Sequence, residues 1–153
     1  MSVQADDTPV IPLDPDEEAL VRALDRVVNV LPRVMDATMM RERQLSLTDY
    51  MTLSRLSEAP LRRLRMSELA EMAFLSLSGM THVVTRLEAQ GLVERVRDEH
   101  DRRGWHAVLT DRGFERLAAA WPSNLLVVRK HVLAHLEGFD LRALAEAFEK
   151  FGS

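Results

Sequence analysis

The chain has 153 residues, 46% of them hydrophobic and 29% charged, with a formal net charge of −4. That is the make-up of a folding globular chain, and without cysteine it has neither a disulfide framework nor thiol chemistry. No run of 18 or more apolar residues is present, so no membrane-spanning helix is expected.

Residues 1–18 hold Asp6, Asp7, Asp14, Asp16, Glu17 and Glu18 and no Lys or Arg, so they carry −6 and the rest of the chain is +2. An acidic arm of this kind masks a basic reader of nucleic acid when only the total is counted. The same stretch has neither a basic n-region nor an apolar h-region, which argues against a signal peptide and for a cytoplasmic address. Pro9, Pro12 and Pro15 among the acids make residues 1–15 a flexible or extended arm.

A helix is predicted from Asp16 to about Arg43, with Leu20, Leu24, Val27, Val28 and Leu31 on one face and a kink at Pro32. Thr48 is a candidate cap for a helix ending before Pro60. A short helix follows over Ser67–Phe74. Ser76 then caps another that stops at Gly91, with Leu77, Met80, Val84 and Leu87 as its apolar stripe. From Leu92 the period changes to two: LVERVR and WHAVL read as the arms of a hairpin across the charged turn DEHDRRG. Thr110 caps a long helix to about Leu136, which carries Trp121-Pro122 as a bend. Gly138 interrupts, and Leu141, Leu144, Ala145 and Phe148 mark a last amphipathic helix.

Short helix, tight turn, second helix and hairpin form the order of a winged helix-turn-helix. The fold class is therefore mainly α with a small β-hairpin wing, and the DNA-binding domain spans 47–113. Residues 16–46 and 114–153 are left as a helical dimerisation region. The second helix of the pair enters a major groove about 12 Å wide, N-terminal end first. Ser76, Ser78, Thr81 and His82 near that end can reach phosphates or base edges, Gly79 allows close approach, and Arg86 lies further along for a phosphate or an acidic neighbour. Arg95 and Arg97 share a face of the first hairpin strand, placed either to touch the DNA backbone or to pair with nearby acids. Arg102 and Arg103 stand at the tip, where a narrow minor groove favours an inserted arginine; Asp101 is placed to hold the Arg103 side chain there, and Arg102 is left for a backbone contact or solvent.

These stretches resemble the MarR-type transcriptional regulators. The resemblance is carried by LTDYMTLSRLSEAP (47–60), LRMSELAEM (64–72), LSGMTHVVTRLEAQGLVER (77–95) and DRRGWHAVLTDRG (101–113). The last contains the family's wing signature of Asp, any residue, Arg, Gly, a strand, Leu-Thr and a glycine. The resemblance implies a homodimer, a pseudo-palindromic duplex DNA operator, and Arg103 as the minor-groove residue supported by Asp101. It also implies a small aromatic or phenolic effector near Met35, Met39 and Tyr50. His82 departs from the arginine common at its position, which weakens the electrostatic grip near neutral pH.

The alternative is a winged-helix protein-interaction module that does not bind DNA. An enzyme is not expected, because no nucleophile–base pair or metal cluster is evident. His131 and His135, four apart on one predicted helix face, lack further ligands, so neither a metal nor a cofactor is expected. Trp105 is read as packing.

Overall fold

The computed structural model describes residues 10–152. Residues 1–9, most of the expected acidic arm, lie outside the described residues. The chain divides into two compact units, one up to Arg33 and one from Val34 onward.

The first unit holds helix α1, Pro15–Asn29. Asp14 caps it by accepting from the Asp16 and Glu17 amides at 2.8 and 2.9 Å, while Glu17 accepts from the Asp14 amide at 2.9 Å. The helix starts one residue earlier than expected because Pro15, with its fixed φ and no N–H, fits the first helical position. The kink predicted at Pro32 is a full break at Val30. Helix α2, Leu31–Arg43, begins there and takes Pro32 into its first turn, where a missing donor costs nothing.

In the second unit the chain turns at Gln44, which adopts a positive φ of 52°. The Arg116 guanidinium donates to the Arg43 carbonyl there, satisfying an orphan group at the end of α2. Helix α3 covers Leu47–Glu58, and its cap is Ser46 rather than Thr48. Ser46 is the extended residue whose hydroxyl accepts from the Asp49 amide at 3.0 Å, whereas Thr48 is already helical. A 3₁₀ turn at Pro60–Arg62 leads into strand β1, Arg63–Arg65. No strand is expected there from the sequence, since three residues carry no readable period.

Helix α4, Met66–Met72, starts and stops before the predicted Ser67–Phe74. The Glu68 carboxylate accepts from the Arg65 amide at 3.1 Å and sets the start. Phe74 takes a positive φ of 54° in the turn, so it cannot continue the helix. Helix α5, Leu77–Ala89, is capped by Ser76 as expected and ends before Gly91 at φ 72°. Strands β2, Val93–Arg97, and β3, Trp105–Leu109, form the hairpin, with Arg97 opposite Trp105 and Val93 opposite Leu109. Strand β1 adds to the other edge of β3, giving an antiparallel sheet in the order β1-β3-β2.

Helix α6, Asp111–His131, stops short of the predicted Leu136. Val132 breaks it and a 3₁₀ turn covers Leu133–His135. His131 and His135 therefore do not share a continuous helix face. Among the described residues no three His, Asp or Glu side chains gather as metal ligands. Helix α7, Leu141–Phe148, closes the chain.

The core lies between α3, α4, α5, the sheet and α6. Met39, Leu53, Leu56, Leu69, Met80, Val84 and Leu87 are wholly removed from solvent. Val83 joins the buried face of α5, but Leu77 does not: it is more than half exposed, at the end of the helix that projects beyond the core. The expected winged helix-turn-helix is present, and it is this core that holds α5 and the hairpin in one frame.

Leu109, Thr110 and Gly113 show why the end of the wing signature has its form. Leu109 is buried in the core. The Thr110 hydroxyl donates to the Gly91 carbonyl at 2.8 Å and accepts from the Gly113 amide at 2.9 Å, tying the start of α6 to the end of α5. Gly113 lies against the Leu92 carbonyl with no room for a side chain: an added Cβ would stand 2.1 Å from that oxygen.

Candidate nucleic-acid interface

Thr81, Arg95, Asp101 and Arg103 converge on one open groove of about 420 Å³ between α5 and the hairpin. The same groove is lined by Arg65, Met66, Ser67, Leu77, Gly104 and Trp105, none of which sequence reasoning placed there as functional. The spacing of Leu77 predicts a core position. Arg65 belongs to a strand too short to announce itself, and Trp105, expected to serve packing, also lines the groove.

The N-terminal face of α5 carries Ser76, Ser78 and His82, all exposed, and Thr85 extends that face. Ser76 is occupied as the cap, accepting from the Gly79 amide at 3.0 Å. A Cβ added at Gly79 would come within 3.2 Å of the Ser76 hydroxyl, so the glycine serves the cap as well as a close approach. Thr81 is half-buried, and its hydroxyl donates to the Leu77 carbonyl at 2.8 Å.

The arginines divide by what they already hold. Arg86 makes a two-pronged pair with Asp49, Nε to Oδ2 at 3.1 Å and an Nη to Oδ1 at 2.5 Å. The Asp49 side chain is only 7% exposed, so Arg86 is the counter-ion of a buried carboxylate from α3. The hydrogen bond to Asp49 raises the Arg86 pKa further. Arg86 thus already holds the acidic neighbour foreseen for it. Arg95 pairs with Glu88 at 2.7 Å, tying β2 to the end of α5. The Arg97 guanidinium lies 5.1 Å from the centre of the Trp105 ring. Arg102 and Arg103 remain exposed at the tip, and among the described residues neither guanidinium has an ion-pair partner.

Asp101 supports Arg103 differently from expectation. Its carboxylate accepts from the Arg103 backbone amide at 3.0 Å and does not hold the guanidinium. An Asx turn forms instead, which fixes the backbone and leaves the side chain free to reach outward.

Asp98 is the buried anchor of the hairpin loop. Its side chain is 5% exposed and lies 2.7 Å from Arg65. The His100 amide, donating at 2.9 Å, and then the Arg65 guanidinium hold its carboxyl below the usual aspartate range, against the opposing effect of burial. His106 Nδ1, buried and without a hydrogen-bond partner among the described residues, is 3.9 Å away.

A folded-state pKa below the ordinary value near 3.8 contributes stability that is present above that value and is lost as pH falls through the folded one. Asp98→Asn is therefore expected to be less stable than the parent near neutral pH, with the gap narrowing below about pH 4. Urea midpoints at the two ends of that range check it. A gap that does not change with pH would show that ionised Asp98 contributes nothing.

Of the residues expected to line an effector site, Met39 and Tyr50 are buried in the core and Met35 packs against it. Burial raises the Tyr50 pKa, opposed by a hydrogen bond to the Asn124 side chain. No described helix is long and apolar enough to cross a membrane.

The model of the MarR family matches residues 43–104, the stretch from the end of α2 to the hairpin tip. Solved structures agree over more of the chain. AbsC, a MarR family transcriptional regulator from Streptomyces coelicolor, is 34% identical over 92% of this chain and 94% of its own, with a TM-score of 0.82. Sco3205 from the same organism, a MarR family regulator solved in complex with DNA, is 33% identical over 92% and 88%, with a TM-score of 0.84. The transcriptional regulator BldR from Sulfolobus solfataricus is 26% identical over 90% and 96%, at 0.77. A comparison with the curated proteins finds no match.

Proposed function

This chain belongs to the MarR family of transcriptional regulators, and from that premise we propose that it binds duplex DNA as a homodimer and represses transcription. In each protomer α5 enters a major groove and the hairpin enters the flanking minor groove. The observation that carries this reading is the groove itself. Leu77 and Thr81 of α5 and the unpaired Arg103 line one cleft, whereas Arg86 and Arg95 already pair with Asp49 and Glu88.

Similarity to Sco3205, solved with DNA, supports the same assignment. A second copy of the chain is the partner that fits the apolar side chains left uncovered. These are Leu20, Val27 and Val28 of α1 in the first unit, and Phe139, Leu141, Phe148 and Phe151 near the C-terminus in the second. A dimer reads two half-sites about one helical turn, ~34–36 Å, apart.

A small aromatic or phenolic effector beside Met35, Met39 and Tyr50 would act by population shift, binding better to a dimer whose two reading helices have the wrong spacing. Because all three side chains belong to or lean on the core, its binding requires local repacking.

Selection of bound duplexes from a random pool, followed by a salt titration on the selected sequence, tests the reading. A pseudo-palindrome and a steep negative slope of log affinity against log salt are expected, because bound arginines release counter-ions. Failure to bind duplex DNA at low salt sinks the proposal in favour of a protein-interaction module.

A further inference from the structure

Arg65 is the last residue of β1 and directly precedes α4. Its guanidinium lies 2.7 Å from Asp98 Oδ2 and 4.0 Å from Asp101 Oδ2. The two carboxylates are used alike. Asp98 Oδ1 accepts from the His100 amide at 2.9 Å, and Asp101 Oδ1 accepts from the Arg103 amide at 3.0 Å. Each aspartate closes a turn two residues ahead with one oxygen and presents the other to Arg65.

The loop between them is tight. The Asp98 amide donates to the Gly104 carbonyl at 3.0 Å, and the Gly104 amide to the Asp101 carbonyl at 2.9 Å. A Cβ at Gly104 would stand 3.2 Å from the Asp98 Cβ and 3.3 Å from Asp101 Oδ2. The segment carrying Arg103 is thus pinned by a cation from the helix-turn-helix side of the groove. Without that cation the two carboxylates would lose the partner they share, and like-charge repulsion would loosen the loop.

We propose that Arg65 is a positioning residue for the wing. By pairing with Asp98 and Asp101 it fixes the distance between Arg103 and α5, and so determines how well the minor-groove and major-groove contacts are made together. The inference rests on the DNA-binding reading above. Arg65 is committed to the two carboxylates, so its effect on affinity passes through Arg103 and not through a phosphate.

A double-mutant cycle on the full chain tests this, read by fluorescence anisotropy on the selected operator. Arg65→Gln is expected to weaken binding about tenfold when Arg103 is present, but less than about twofold in the Arg103→Ala background. Arg65→Lys, which keeps a cation between the carboxylates, should restore most of the loss. An equal loss in both backgrounds would identify a direct phosphate contact and overturn the proposal, as would no loss at all.

Hydrogen exchange in the free protein provides a readout without DNA. The His100 and Arg103 amides should exchange faster in Arg65→Gln while the α5 amides do not change, and unchanged exchange at both loop amides overturns the clamp. If the parent protein binds no duplex, the DNA reading fails and exchange alone judges the clamp. If Arg65→Gln does not fold, Asp101→Asn carries the same cycle and the same exchange measurement, because it keeps an acceptor for the Arg103 amide and removes the charge facing Arg65.

Discussion

Gly113→Ala should destabilise the protein by about 3 kcal/mol. In an ordinary helix interior the same change is stabilising by about 1 kcal/mol, because alanine is the better helix former. The sign is reversed here by contact. The new Cβ would stand 2.1 Å from the Leu92 carbonyl oxygen and 2.6 Å from Leu109 Cδ1. The first of these is backbone, in the link between α5 and β2, so it cannot rotate away as a side-chain end would. Relief requires α6 to move from the hairpin, which also strains the Thr110 bonds to Gly91 and Leu92 at 2.8 and 3.1 Å. Urea unfolding at unchanged m-value measures the effect. A stabilised alanine variant would show that this close approach does not exist in solution.

Arg103→Ala should lower operator affinity by about ten- to a hundredfold, in line with the 1–3 kcal/mol typical of a single specific arginine contact. The reason is its freedom. Arg86 and Arg95 are spent on Asp49 and Glu88, whereas Arg103 has its amide fixed by Asp101 and its guanidinium unpaired. A cation held at the end of a rigid turn reaches the negative potential of a narrow minor groove without first breaking an internal pair. The salt slope should fall by about one unit, and the variant should lose its preference for A·T over G·C where the wing lands. Arg102→Ala should cost less and equally on all sequences, as a backbone contact does. Unchanged affinity in Arg103→Ala would remove the wing from the interface and favour the reading without DNA.

These expectations draw on different levels of the chain. The caps at Ser76 and Thr110, the stop at Gly91 and the change of period at Leu92 were legible in the sequence because they are local. Each depends on residues within one turn or on alternation along one strand. The wing signature likewise located Asp101 and Arg103 at a tip. The Ser46 cap was missed because Thr48 offers the same chemistry two residues later, and only the extended backbone at Ser46 distinguishes them.

What the sequence determined by itself was the order helix, turn, helix and hairpin, the family it resembles and the residues at the hairpin tip. The tertiary structure decided which cations are free. Arg86 meets Asp49 across 37 positions and Arg95 meets Glu88 across seven, and neither pairing has a local signature. It also decided that β1 exists, since three residues become a strand only when β3 offers an edge, and that Leu77 faces the groove. The physical reason is the same throughout. Caps and periods depend on neighbours along the chain, whereas ion pairs and close packing depend on separations of a few ångströms that only the assembled core sets.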